Sequence, residues 1–203
     1  MRITRTLAAV SALAVLTACG SDGDDKGGDA TTTAEETSEA TAPADGPSDE
    51  PTDDAPPFPA ETATQTAKPS GEWDLVLQDV RVGSHDGFDR VVLEFAGTGT
   101  PGWAVGYVDE PVADGSGEPL PVDGESFLDV YASGTTYPAE GEGVDLSTID
   151  PGSGELVAGV RVVGTFEGDT QVVVGLDGDA APFRTFALTE PARLVVDVAH
   201  EAA

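Results

Sequence analysis

Cysteine is nearly absent: Cys19 is the only one in 203 residues. With no cysteine after position 19, a folded segment downstream has no disulfide and must be held by packing. Histidine is almost as scarce, with His85 and His200 alone. A zinc site takes three or four closely spaced nitrogen or sulfur ligands, so no metal centre is expected from this supply. Basic residues number 9 against 38 acidic ones, for a formal net charge of -29. Phosphate backbones are gripped by lysine and arginine, so nucleic acid is excluded as a partner. The same imbalance argues against a direct electrostatic hold on anionic lipid or polyanionic wall polymers. Large aromatic residues are few, and no segment carries an apolar stripe of helical period.

The chain opens with Met1-Arg2-Ile3-Thr4-Arg5, followed by an apolar run from Leu7 to Leu16. Two arginines, a short apolar core and small residues at its end predict a signal peptide over residues 1–18. The run falls short of the roughly 20 apolar residues that span a bilayer. The closing Leu16-Thr17-Ala18-Cys19 resembles the bacterial lipobox. The resemblance implies cleavage before Cys19 and attachment of acyl chains there. Two or three such chains would anchor the protein stably to the membrane, at about 0.8 kcal/mol per buried methylene.

Residues 19–72 are rich in Asp, Glu, Thr, Ala, Pro and Gly, with Phe58 nearly the only large apolar residue. Such a composition buries too little surface to offset its ordering entropy, which predicts a disordered acidic tether. Its flexible span would be roughly 40 Å, with a fully drawn limit on the order of 170 Å.

From Trp73 to Ala199 the pattern changes to short alternating runs broken by Gly, Pro and Asp. The runs are Leu75 to Val82, Phe88 to Phe95, Trp103 to Val108, Phe127 to Tyr131, Leu156 to Phe166, Thr170 to Leu176, Phe183 to Leu188 and Arg193 to Val198. Regular turn signals between them predict an all-β sandwich or barrel over residues 73–199, with a tail at 200–203. The apolar face switches within the first run, predicting a bulge near Gln78-Asp79. Asp86-Gly87 predicts a tight hairpin turn. Residues 137–151 predict a long loop, with a helical turn at most around Ser147-Thr148-Ile149-Asp150. Trp73, Phe88, Phe95, Trp103, Phe127, Phe166, Phe183 and Phe186 are the expected aromatic core.

Two stretches carry a resemblance. Gly83-Ser84-His85-Asp86-Gly87-Phe88-Asp89-Arg90-Val91-Val92 is similar to the opening of the AMIN-like variant found in actinobacterial lipoproteins. Leu188, Pro191, Arg193 and Asp197, separated by apolar residues, resemble the closing signature of the AMIN domain of cell-wall amidases. The resemblance implies a small β-sandwich that localises or binds at the envelope, with peptidoglycan or an envelope protein as partner. No stretch of these residues resembles an amidase catalytic domain, so a direct role in wall hydrolysis is not expected.

The polar candidates are His85, Asp89, Arg90, Arg193 and Asp197. A guanidinium fork matches a carboxylate in two bonds. The arginines therefore admit two roles: a cross-strand ion pair that pins register, or a grip on carboxylates or acetamido groups of the wall. Trp103 and Tyr107 could offer a platform to a sugar ring, or pack inward. His85 admits turn capping or, with Asp89, the base of a small hydrolase; no Gly-x-Ser-x-Gly elbow accompanies it. Asp109-Glu110 and Asp114-Gly115-Ser116-Gly117-Glu118 offer oxygens for calcium but lack EF-hand spacing, so a solvated acidic loop is expected. A non-catalytic binding module without cofactor is the preferred function. The alternatives are a protein-interaction subunit of a membrane enzyme or transporter, and the His85 hydrolase.

Overall fold

The computed structural model describes residues 55–140, 143–146, 149–152 and 154–200. The signal peptide, Cys19 and the tether up to residue 54 lie outside the described residues, as do Ser147 and Thr148 of the helical turn.

Nine strands follow in chain order: β1 (Gln65–Ala67), β2 (Val76–His85), β3 (Phe88–Ala96), β4 (Gly102–Val108), β5 (Ser126–Ser133), β6 (Val157–Phe166), β7 (Asp169–Leu176), β8 (Phe183–Leu188) and β9 (Ala192–Ala199). They form a five-stranded sheet in the order β1-β4-β5-β7-β6 and a four-stranded sheet in the order β2-β3-β9-β8. Every neighbouring pair is antiparallel. The fold is an all-β sandwich. Gly87, at φ 83°, closes the β2–β3 hairpin, where a side chain would be strained. The register of β2 slips between Leu77 and Asp79, at the bulge that the face switch predicts.

The core lies between the sheets. From the four-stranded sheet come Val80, Val91, Leu93, Phe95, Phe183, Leu194, Val196 and Val198. From the five-stranded sheet come Val105, Leu128, Val130, Ala132, Val157, Val172, Val174 and Leu176. Aliphatic residues dominate, each worth about 1.5–3 kcal/mol when fully buried. Of the expected aromatic core, Phe95 and Phe183 are fully buried and Trp103 packs against the interior. Trp73 and Phe166 do not belong to it: they are 63% and 39% exposed. Trp73 precedes the first long strand and Phe166 ends β6 at a turn, so neither is carried inward by the pleat. Phe88, Phe127 and Phe186 stand on positions facing away from the interior, because they fall out of step with the core residues of their strands.

The folded part begins earlier than the expected boundary at Trp73. β1 pairs with β4, and Ser70 and Thr100 exchange backbone hydrogen bonds of 3.1 and 2.8 Å. Residues 61–67 lack proline, so they can join a sheet edge. The Gln65 carboxamide adds a second attachment. Its Nε2 donates to the Phe183 carbonyl at 2.7 Å, and its Oε1 accepts from the Thr185 N–H at 3.0 Å. One side chain thus pairs the free edge of β8 as a neighbouring strand would. Gln65→Ala is expected to cost about 1–2 kcal/mol. It should also speed amide exchange at Thr185 specifically; unchanged exchange there would show the edge is protected by something else.

Candidate functional site

The outer face of the four-stranded sheet carries an unusual polar row. Register sets Gly83, Arg90, Asp197 and Arg184 side by side across β2, β3, β9 and β8. Arg90 donates through Nε to Asp197 Oδ1 at 2.7 Å and through Nη2 to Oδ2 at 2.9 Å. Arg184 donates through Nε to the same Oδ2 at 2.8 Å. The Asp197 side chain is 0% exposed, with Arg90 at 3% and Arg184 at 13%. One carboxylate therefore holds two guanidiniums on the outside of a sandwich, yet away from water.

Aromatic rings supply the shielding. The Arg90 guanidinium lies 5.3 Å from the Phe88 ring centre and 5.6 Å from that of Phe186. The Arg184 guanidinium lies 4.3 Å from Phe58 and 5.1 Å from Phe88. Such stacks are electrostatically favourable and stronger where water is excluded. Phe58 belongs to residues 55–64, which lie as a proline-rich strap against β8. Arg184 Nη1 donates to the Pro56 carbonyl at 2.8 Å. His85 stacks on Phe88 at 4.9 Å, and its buried Nε2 has no hydrogen-bond partner among the described residues.

Asp89, next to Arg90, points the other way. Its Oδ2 accepts from the Leu156 and Val157 N–H groups at 2.7 and 2.9 Å. Its Oδ1 meets His200 Nε2 at 2.8 Å. The side chain is fully buried. It ties the start of β6 and the end of β9 to the hairpin.

The profile of the AMIN-like domain matches residues 75–200, more than half of the chain. The chain belongs to the AMIN-like domain family. A search of curated proteins finds no match. In this AMIN-like domain the two signature stretches are adjacent strands. The arginine of the first and the aspartate of the second form the Arg90–Asp197 pair.

The remaining candidates separate. Arg193 stands in a row of its own between Glu94 on β3 and Leu188 on β8, four residues along the strand from Asp197; its buried Nε has no partner among the described residues. His85 and Asp89 occupy alternate positions on opposite faces, so the structure does not assemble the hydrolase pair. Asp89 instead meets His200, a residue expected in the tail, which is anchored by its own N–H to the Gly87 carbonyl at 3.0 Å. Trp103 and Tyr107 face inward beside Val105 rather than forming a platform. The Tyr107 hydroxyl donates to the Ala181 carbonyl at 2.8 Å and accepts from its N–H at 3.0 Å. Residues 113–118 form a turn closed on itself, and among the described residues no three His, Cys, Asp or Glu converge as metal ligands.

Arg184 and Phe58 were missed by sequence reasoning. An arginine on β8 joins the row only through the β8–β9 register, and Phe58 lies more than a hundred residues from its partner. The signal for Arg184 was its even position between the inward-facing Phe183 and Thr185.

Two buried carboxyls respond to pH in opposite senses. Burial pushes Asp89 up, but the Leu156 and Val157 N–H groups and His200 outweigh it and bring the carboxyl below its ordinary 3.8. A depressed carboxyl stabilises the fold above pH 3.8 and loses that contribution as pH falls through its folded value. Asp129, under the loop carrying Asp114, is raised, first by burial and also by Asp114, against hydrogen bonds from Gln171 and Tyr131. A raised carboxyl costs stability as pH rises above 3.8 through its folded value. Burial, with Asp129 and Asp114, also pushes the Tyr131 phenol up to about 12. Asp129→Asn should therefore raise Tm at pH 7 and leave it nearly unchanged at pH 3. Calorimetry at the two pH values checks the sign; an equal shift at both would remove Asp129 ionisation as the cause.

Proposed function

We propose that this protein is a lipid-anchored extracytoplasmic lipoprotein whose AMIN-like domain binds peptidoglycan without catalysing a reaction. The observation that carries the reading is the family membership over residues 75–200. AMIN-like domains are generally non-catalytic modules of the cell envelope, and the lipobox-like Leu16-Thr17-Ala18-Cys19 supports membrane attachment at Cys19. The separation of His85 from Asp89 supports binding over hydrolysis. Arg90 is closed against Asp197 and has a structural role, which leaves Arg184 as the arginine of that row better placed to meet a ligand.

Detergent-solubilised full-length protein incubated with purified peptidoglycan sacculi should sediment with them in a saturable way, with or without calcium. Failure to sediment across salt concentrations would remove peptidoglycan as the ligand. Metabolic labelling with a fatty acid should mark the wild type and not Cys19→Ala.

A further inference from the structure

Between the strap and the free edge of β8 lies a cleft of about 510 Å³. Its walls are mainly apolar, from Pro57, Pro59, Ala60 and Ala63, and Arg184 stands in it. We propose that this cleft binds the terminal carboxylate of a short peptide with small side chains, anchored by Arg184. The proposal rests on the envelope-binding reading and names the ligand class of its site.

The Arg184 fork carries the argument. Its Nε is committed to Asp197, and its plane is stacked against Phe58 and Phe88, so its direction is fixed. The opposite end, Nη1 and Nη2, holds a single acceptor, the Pro56 carbonyl. Nη2 donates to no atom among the described residues. A carboxylate would take both nitrogens of that end, where the carbonyl takes one. The strap carbonyl thus occupies one half of a two-bond site. Charge favours the exchange: Arg184 brings a guanidinium to the cleft, and the one carboxylate it meets, Asp197, is shared with Arg90. The exposed Glu61 carboxylate lines the same cleft and opposes an incoming anion. Small side chains suit walls of proline and alanine, whereas a sugar ring would need a flat aromatic face that the cleft lacks.

The probes are diacetyl-lysyl-D-alanyl-D-alanine and its C-terminal carboxamide, titrated into isotope-labelled full-length protein. Saturable shifts are expected at the amides of Thr185 and Phe58. The carboxamide and the variant Arg184→Lys should each bind roughly tenfold more weakly, since each removes a charge-assisted bond. Glu61→Gln, on the surface and remote from the core, should bind the acid about threefold more tightly. Equal affinity for acid and carboxamide, or no shifts at all, would overturn the proposal. Sacculi retained equally by wild type and Arg184→Lys, with no tripeptide shifts, overturn the cleft and leave wall binding standing. Tripeptide shifts without retention of sacculi support the cleft and overturn wall binding.

Discussion

Asp197→Ala should lower the unfolding free energy by about 3–5 kcal/mol, because it leaves the buried Arg90 guanidinium without its counter-charge. Domains of ordinary stability have about 5–15 kcal/mol in total, so the variant should be close to unfolding at physiological temperature. The loss is centred on Arg90, whose side chain is only 3% exposed and makes two bonds to the missing carboxylate. Arg184 is 13% exposed, so once Asp197 is removed its released guanidinium is the nearer of the two to water. The double variant Arg90→Met with Asp197→Leu removes both charges at once and should cost far less, since a buried ion pair is often no better than a well-packed apolar pair. Urea unfolding followed by circular dichroism measures both. A single-variant loss under 1 kcal/mol would mean that water reaches the pair, and its structural role would fall.

Asp89→Ala is the second large effect, at about 2–4 kcal/mol. The origin differs. No guanidinium is stranded; instead the buried Val157 N–H loses its acceptor, at about 1–3 kcal/mol, and the part-buried Leu156 N–H loses the same acceptor at about 1 kcal/mol. Asp89→Asn keeps an oxygen that can accept from both groups, so it should recover at least half of the loss. The two variants separate charge from geometry. Equal losses in Asp89→Ala and Asp89→Asn would assign the role to the charge and to His200. A further consequence is local: in Asp89→Ala the amides of Leu156 and Val157 should exchange faster than those of the core strands.

Much of the sandwich was legible because its chemistry is local. Alternation marks a strand wherever one face is dry, and the switch between Leu77 and Val80 exposed the β2 bulge before any partner strand was known. The turn at Asp86-Gly87 needed only the two residues themselves. The site was legible in part. Chemistry alone allows Asp89 or Asp197 to pair with Arg90 or Arg193 and does not choose among them, and Arg193 shares a strand face with Asp197. Only the register, which sets Arg193 opposite Glu94, makes the distinction. The aromatic residues misled for a related reason. Both faces of the four-stranded sheet are covered, so Phe88 and Phe186 are shielded without entering the interior. Gln65 was hidden because its contact spans 118 residues and uses a side chain as if it were backbone.

The position of the strap has a mechanical meaning. Any pull on the chain ahead of Ala55 reaches the Pro56 carbonyl and the Phe58 ring before it reaches a strand. Those contacts take the load in series, ahead of any strand of the sandwich. Gln65 is the next stop in the series. It is fastened to both sheets at once, through its backbone and through its carboxamide, so stress arriving there is shared across the whole molecule.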